Sequence, residues 1–135
     1  MSASSRVVVD TSALMAILLL EPDANAYKDC LSDATDAYLS AATLTELGIV
    51  CMARGSIGLR KMRLLLDEQN IEVLPHSCEC ADLSVDAYAR FGKGRHPAAL
   101  NFGDCCSYAL AKSLDLPLLF KGDDFAQTDI RSALA

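Results

Sequence analysis

The stretch RVVVDTSALM, residues 6–15, sets three valines ahead of one acid and then opens a run of helical character. Consecutive β-branched apolar residues read as a strand buried on both faces, as in the interior of a parallel sheet. Asp10 therefore stands at the carboxyl end of a buried strand, where an unpaired carboxylate costs on the order of several kcal/mol. It has to be solvated, hydrogen-bonded or bound to a cation. Thr11 or Ser12 is placed to cap the helix predicted over 13–20, which Pro22 ends, and Asp10 itself is an alternative cap.

Outward from this stretch the chain alternates. Helices are predicted over 25–33, 43–54, 56–70, 80–91 and 101–115, with short apolar strands at 37–40, 71–75 and 117–120. A further strand is expected near TDI, residues 128–130. Short apolar strands separated by helices require crossover connections, which gives an α/β fold with a mostly parallel sheet of about five strands flanked by helices. No repeat, low-complexity tract or linker divides residues 1–135, so one domain is expected.

Composition excludes several classes. A formal net charge of −6 argues against a broad basic face that coats nucleic acid, while a local basic rim remains compatible. The longest apolar run, ALMAILLL at 13–20, is far shorter than the roughly 20 residues a bilayer span needs. The opening MSASSR is short and polar, so neither membrane nor export is expected and the protein is placed in the cytoplasm. Six cysteines include C-x-C at 78–80 and an adjacent pair at 105–106, but no C-x-x-C. Zinc-ligand spacing is missing, and Cys51 and Cys106 are expected as reduced, buried hydrophobes.

Four acidic positions matter. Glu46 closes TLTE at 43–46 and Asp104 closes NFGD at 101–104; both have capping-box form, so each acid has a purely structural reading. Asp123 and Asp124 in KGDDF read equally well as turn residues. In an open parallel sheet, however, strand carboxyl ends and the amino ends of following helices share one edge. Asp10, Glu46, Asp104 and the Asp123/Asp124 pair then converge. Clustered carboxylates raise one another's pKa unless a cation neutralises them, and an all-oxygen set selects magnesium or manganese over zinc.

The blocks VVVDTSAL, LTELGIV, GKGRHPAALNFGDCCSYALAK and PLLFKGDDFAQTDI, in this order, resemble the PIN-domain ribonucleases, and within them the VapC toxins of VapBC toxin–antitoxin pairs. The resemblance covers nearly the whole chain. It implies a three-layer fold of strand order 3-2-1-4-5 and matches Asp10, Glu46, Asp104 and Asp124 to an acidic quartet holding Mg2+, or Mn2+ as substitute. Thr11 matches a supporting polar residue, and Asp123 is a less secure member of the site. The implied activity is metal-dependent endonucleolytic cleavage of RNA leaving a 3′-hydroxyl and a 5′-phosphate. The implied partners are a cognate VapB-type antitoxin and a second copy of the chain in a homodimer. The helix hairpin at 47–62 is a candidate antitoxin contact, although its apolar face serves equally well as core. Lys93, Arg95 and His96 in GKGRHP, with Lys121, are candidates for holding the RNA backbone, or else ordinary solvated loop residues.

Two other classes fit less well. A magnesium-binding phosphoacceptor receiver carries paired acids after its first strand and an aspartate after its third, whereas Asp10 stands alone and IEVLP ends without an acid. A non-catalytic interaction domain would use the acids only as caps, and should gain no thermal stability from magnesium.

Overall fold

The three valines alternate between two cores. In the computed structural model, which describes residues 5–134, β1 (Arg6–Val9) is the first element. Val7 and Val9 join an apolar cluster with residues of α1 (Thr11–Leu18), α2 (Ala24–Asp33), α3 (Ala41–Ala53) and α4 (Gly58–Glu68). Val8 faces the other way, into a cluster with α5 (Cys78–Phe91) and α6 (Phe102–Leu114). Full burial of a valine contributes roughly 1.5–3 kcal/mol relative to exposure. One strand thereby fastens helices to both sheet faces.

β1 lies between β2 (Asp36–Ser40) and β4 (Leu118–Leu119), and β3 (Ile71–Leu74) pairs with β2 at the edge. All these pairings are parallel and the sheet order is β3-β2-β1-β4. The expected fifth strand is reduced to a single parallel bridge between Leu118 and Ser132, on the far side of β4 from β1. At 128–130 a strand is prevented because the Thr128 hydroxyl donates to Phe125 O (2.7 Å) and accepts from Ile130 N (3.2 Å). These local bonds hold a turn and withdraw the backbone donor that a ladder needs. β4 itself is short because Lys121 N donates to the Ser12 hydroxyl (3.0 Å) instead of continuing the pairing.

Other boundaries shift for identifiable reasons. The first helix starts at Thr11, because Asp10 rather than Thr11 or Ser12 supplies the cap, and it stops at Leu18. Leu20 then takes a left-handed φ of 54°, closing the end through Leu20 N to Ile17 O and Glu21 N to Ala16 O. α3 begins at Ala41 under a Ser40 cap, two residues before the expected start, so TLTE is not its capping box. The capping box expected at Asn101–Asp104 is present. All six cysteines are free, with Cys51 and Cys106 buried. No helix among the described residues is long and apolar enough to cross a membrane, and MSAS at 1–4 lies outside the described residues.

Candidate active site

Asp10 is 3% exposed, and its cost of burial is offset by three hydrogen bonds. Oδ2 accepts from Ser12 N (3.0 Å) and from the Ser12 hydroxyl (2.7 Å), while Oδ1 accepts from the Ser107 hydroxyl (2.6 Å). Ser12 is thus shared between the carboxylate and the loop after β4, through Lys121 N. The end of β1 and the end of β4 are tied at one hydroxyl.

Glu46 lies in the second turn of α3, and its Oε1 accepts from Thr11 Oγ1 (2.7 Å). Within the expected quartet, the acid that Thr11 touches is Glu46. Glu46 also packs against Gly103 at the start of α6, where any Cβ would collide with Oε2 and the carboxyl carbon. The missing side chain at Gly103 leaves the Glu46 carboxylate its place, and a larger residue there would displace it.

Asp104 follows Gly103 directly. Its Oδ2 accepts from Asn101 N (3.0 Å), and Asn101 Oδ1 accepts from Asp104 N (2.9 Å). Burial pushes the Asp104 carboxyl up to about 6, and the charges of Asp10, Asp124 and Glu46 push in the same direction against the opposing Asn101 N–H. Asp124 is the member of the adjacent pair that figures among the main charges acting on Asp104. Both Asp123 and Asp124 are exposed, Gly122 has a φ of +100°, and Phe125 is 2% exposed, so the loop turns sharply and then anchors in the core.

The four acids interact without an internal cation. None of the ion pairs among the described residues reaches Asp10, Glu46, Asp104 or Asp124. Oxygen-only donors under mutual repulsion fit a hard divalent cation such as magnesium or manganese. Among the described residues no three acidic, histidine or cysteine side chains already surround one point as ligands. Glu46 Oε1 is engaged by the Thr11 hydroxyl.

The basic candidates divide. Lys93 and Arg95 are exposed in the loop after α5, with the Arg95 guanidinium 5.9 Å from the Tyr88 ring centroid. His96 is half-buried; its Nδ1 accepts from Ala98 N (3.0 Å) and its ring meets Phe91 edge-on at 5.2 Å, so it holds the loop's shape. Lys121 is engaged by Glu21 (3.3 Å) and Asp23 (3.0 Å), whose carboxylates hold its ammonium above the usual lysine range, Asp23 most.

Sequence reasoning gave Ser12 and Thr43 only capping roles and did not single out Ser107 or Gly103. A signal existed for two of them, because Ser107 stands three residues after Asp104 and Thr43 three before Glu46, a spacing that shares a helix face.

The PIN-domain family model matches residues 7–131. The chain belongs to the PIN-domain family of VapC ribonucleases. It is 48% identical over 130 residues to Ribonuclease VapC28 of Mycobacterium tuberculosis, covering 95% of this chain and 98% of that one. It is 45% identical over 125 residues to Ribonuclease VapC of Mycolicibacterium smegmatis, covering 92% and 97%. The fold matches crystal structures of M. tuberculosis VapC20, a sarcin-ricin loop cleaving toxin (TM-score 0.72, 15% identity, 92% and 95% covered) and of VapBC2 from Rickettsia felis bound to a promoter DNA fragment (TM-score 0.73, 13% identity, 94% and 96% covered). At these identities the structural matches speak for the fold.

Proposed function

We propose that this VapC ribonuclease is the toxin of a toxin–antitoxin pair and cuts RNA with Asp10, Glu46, Asp104 and Asp124 holding magnesium or manganese. The observation that carries this reading is Asp104, raised by burial and by the other three acids of the quartet with no internal cation in reach. Asp10, fixed at the end of β1, is the principal ligand; Asp104 faces it from α6, and Glu46 and Asp124 complete the set. A bound divalent cation supplies Lewis-acid polarisation of the scissile phosphate and a water of lowered pKa. The protein's own part is to hold the carboxylates at one edge of the sheet, Asp10 through the Ser12 and Ser107 bonds and Glu46 through Thr11. Lys93 and Arg95 draw in the RNA backbone. His96 shapes their loop, and Lys121 braces the loop carrying Asp124. The products carry a 3′-hydroxyl and a 5′-phosphate.

The partner in this reading is a VapB-type antitoxin, in a hetero-oligomer built on a toxin homodimer. A toxin–antitoxin complex from Klebsiella pneumoniae has the same fold (TM-score 0.68), which supports it. The hairpin at 47–62 buries Leu47, Cys51, Ile57 and Met62 yet exposes Ile49, Met52 and Leu59, leaving an apolar strip for a partner.

The test is cleavage of total RNA by the purified chain with Mg2+, with Mn2+ and with excess EDTA, beside Asp10→Asn. The reading requires cleavage only with metal and none by the variant. Undiminished cleavage in EDTA would refute it.

A further inference from the structure

Ser107 and Thr43 are each 0% exposed, yet each carries a hydroxyl. A buried hydroxyl is unfavourable unless bonded, and alanine and valine would fill the same space with no polar demand. The two oxygens are 3.1 Å apart, and Ser107 Oγ is 2.6 Å from Asp10 Oδ1.

Proton counting fixes the direction. An ionised carboxylate only accepts, so the single Ser107 proton goes to Asp10. The bond between the hydroxyls must then be donated by Thr43. The chain of donors runs from Thr43 to Ser107 to Asp10, and each member polarises the next. It also links three elements: Thr43 is about one turn from Glu46 on α3, Ser107 about one turn from Asp104 on α6, and Asp10 directly follows β1. The register of all three acid-bearing elements passes through these two hydroxyls.

We propose that Ser107 is a positioning residue that holds Asp10 Oδ1 in ligating orientation, and that Thr43 acts on Asp10 only through Ser107. The inference rests on the metal site proposed above. Both hydroxyls are fully buried, so the proposed role is through Asp10 and not through contact with RNA. Ser107 restricts the rotation of the carboxylate by donating to Oδ1, which still has acceptor capacity that a cation would use. Thr43 keeps the Ser107 proton turned toward Asp10.

The experiment measures Mn2+ affinity of the full-length chain, without RNA, from the electron paramagnetic resonance signal of free Mn2+. Wild type, Ser107→Ala, Thr43→Val, the double variant and Thr43→Ser are compared. Loss of such a supporting bond weakens metal binding about 10- to 100-fold, so Ser107→Ala should fall in that range and Thr43→Val should show a smaller loss. The double variant should match Ser107→Ala, because Thr43 has no route of its own. Thr43→Ser keeps the hydroxyl and should bind as wild type does. Equal affinity of wild type and Ser107→Ala would overturn the proposal, as would losses that multiply in the double variant. Should Ser107→Ala not fold, judged by circular dichroism, Thr43→Val against Thr43→Ser decides. Saturable Mn2+ binding by a wild type that cuts no RNA would defeat the nuclease reading while the affinities still judge the relay. No saturable binding by wild type would overturn both.

Discussion

Two aspartates in contact with the same helix behave in opposite ways. Asp104 opens α6 among acids, and its carboxyl is pushed up to about 6 by burial and by Asp10, Asp124 and Glu46. Asp129 packs against the other end of α6; burial also pushes it up, but the Tyr108 hydroxyl (2.6 Å), Lys112 (2.9 Å) and Arg90 (3.3 Å) outweigh that and hold it down to about 2. In return, burial and the Asp129 charge raise the Tyr108 phenol. Asp129 is satisfied inside the chain and fastens the C-terminal segment to α5 and α6. Asp104 has no cationic partner among the described ion pairs, and its end of the helix is where the proposed metal site lies.

Substitutions separate the two regions, and the largest effect belongs to the first. Asp10→Asn keeps the size and a capping oxygen but loses the charge. Metal-dependent cleavage should fall on the order of 10²-fold or more while the circular dichroism spectrum is unchanged. Next, Asp124→Asn should raise the metal concentration for half-maximal cleavage about tenfold, and Asp123→Asn much less. A magnesium series on both variants checks this, and a larger defect in Asp123→Asn would reverse the assignment within the pair.

The pH dependences have opposite signs. Because the folded pKa of Asp104 is raised, the native state binds more protons than the unfolded chain between about pH 4 and 6. In EDTA the Asp104 contribution therefore lowers stability as pH rises through that window, by an order of 1–2 kcal/mol after solvent screening. Melting curves from pH 4 to 7 should show a decline that Asp104→Asn flattens. Asp129 has a depressed folded pKa, so its contribution is present above about pH 4 and is lost as pH falls toward 2. With its side chain 41% exposed, Asp129→Asn should cost only about 1 kcal/mol at neutral pH and leave the metal requirement of cleavage unchanged.

The contrast between these regions also explains what the sequence disclosed. VVV followed by an acid was sufficient to place Asp10, because strand burial and the carboxyl-edge rule both act locally. The capping box at Asn101 was legible for the same reason. The fifth strand was not, since the Thr128 turn competes with it through side-chain bonds that composition does not reveal. The ladder Thr43–Ser107–Asp10 joins residues up to 97 positions apart, and only the packing of α3 on α6 brings them together. Nor did the sequence disclose the partners of Lys121, because Glu21 and Asp23, about 100 positions away, meet its ammonium only through the fold.

Thermal melting against magnesium concentration at pH 7.5, for wild type, Asp104→Asn and Asp129→Asn, sets the two aspartates against each other in one experiment. Ligand linkage predicts that the wild-type melting temperature climbs with the logarithm of magnesium above the dissociation constant. Asp129→Asn should start lower and climb in parallel, whereas Asp104→Asn should start higher in EDTA and stay nearly flat. An equal climb in Asp104→Asn and wild type would contradict the assignment of a divalent cation to the acidic cluster.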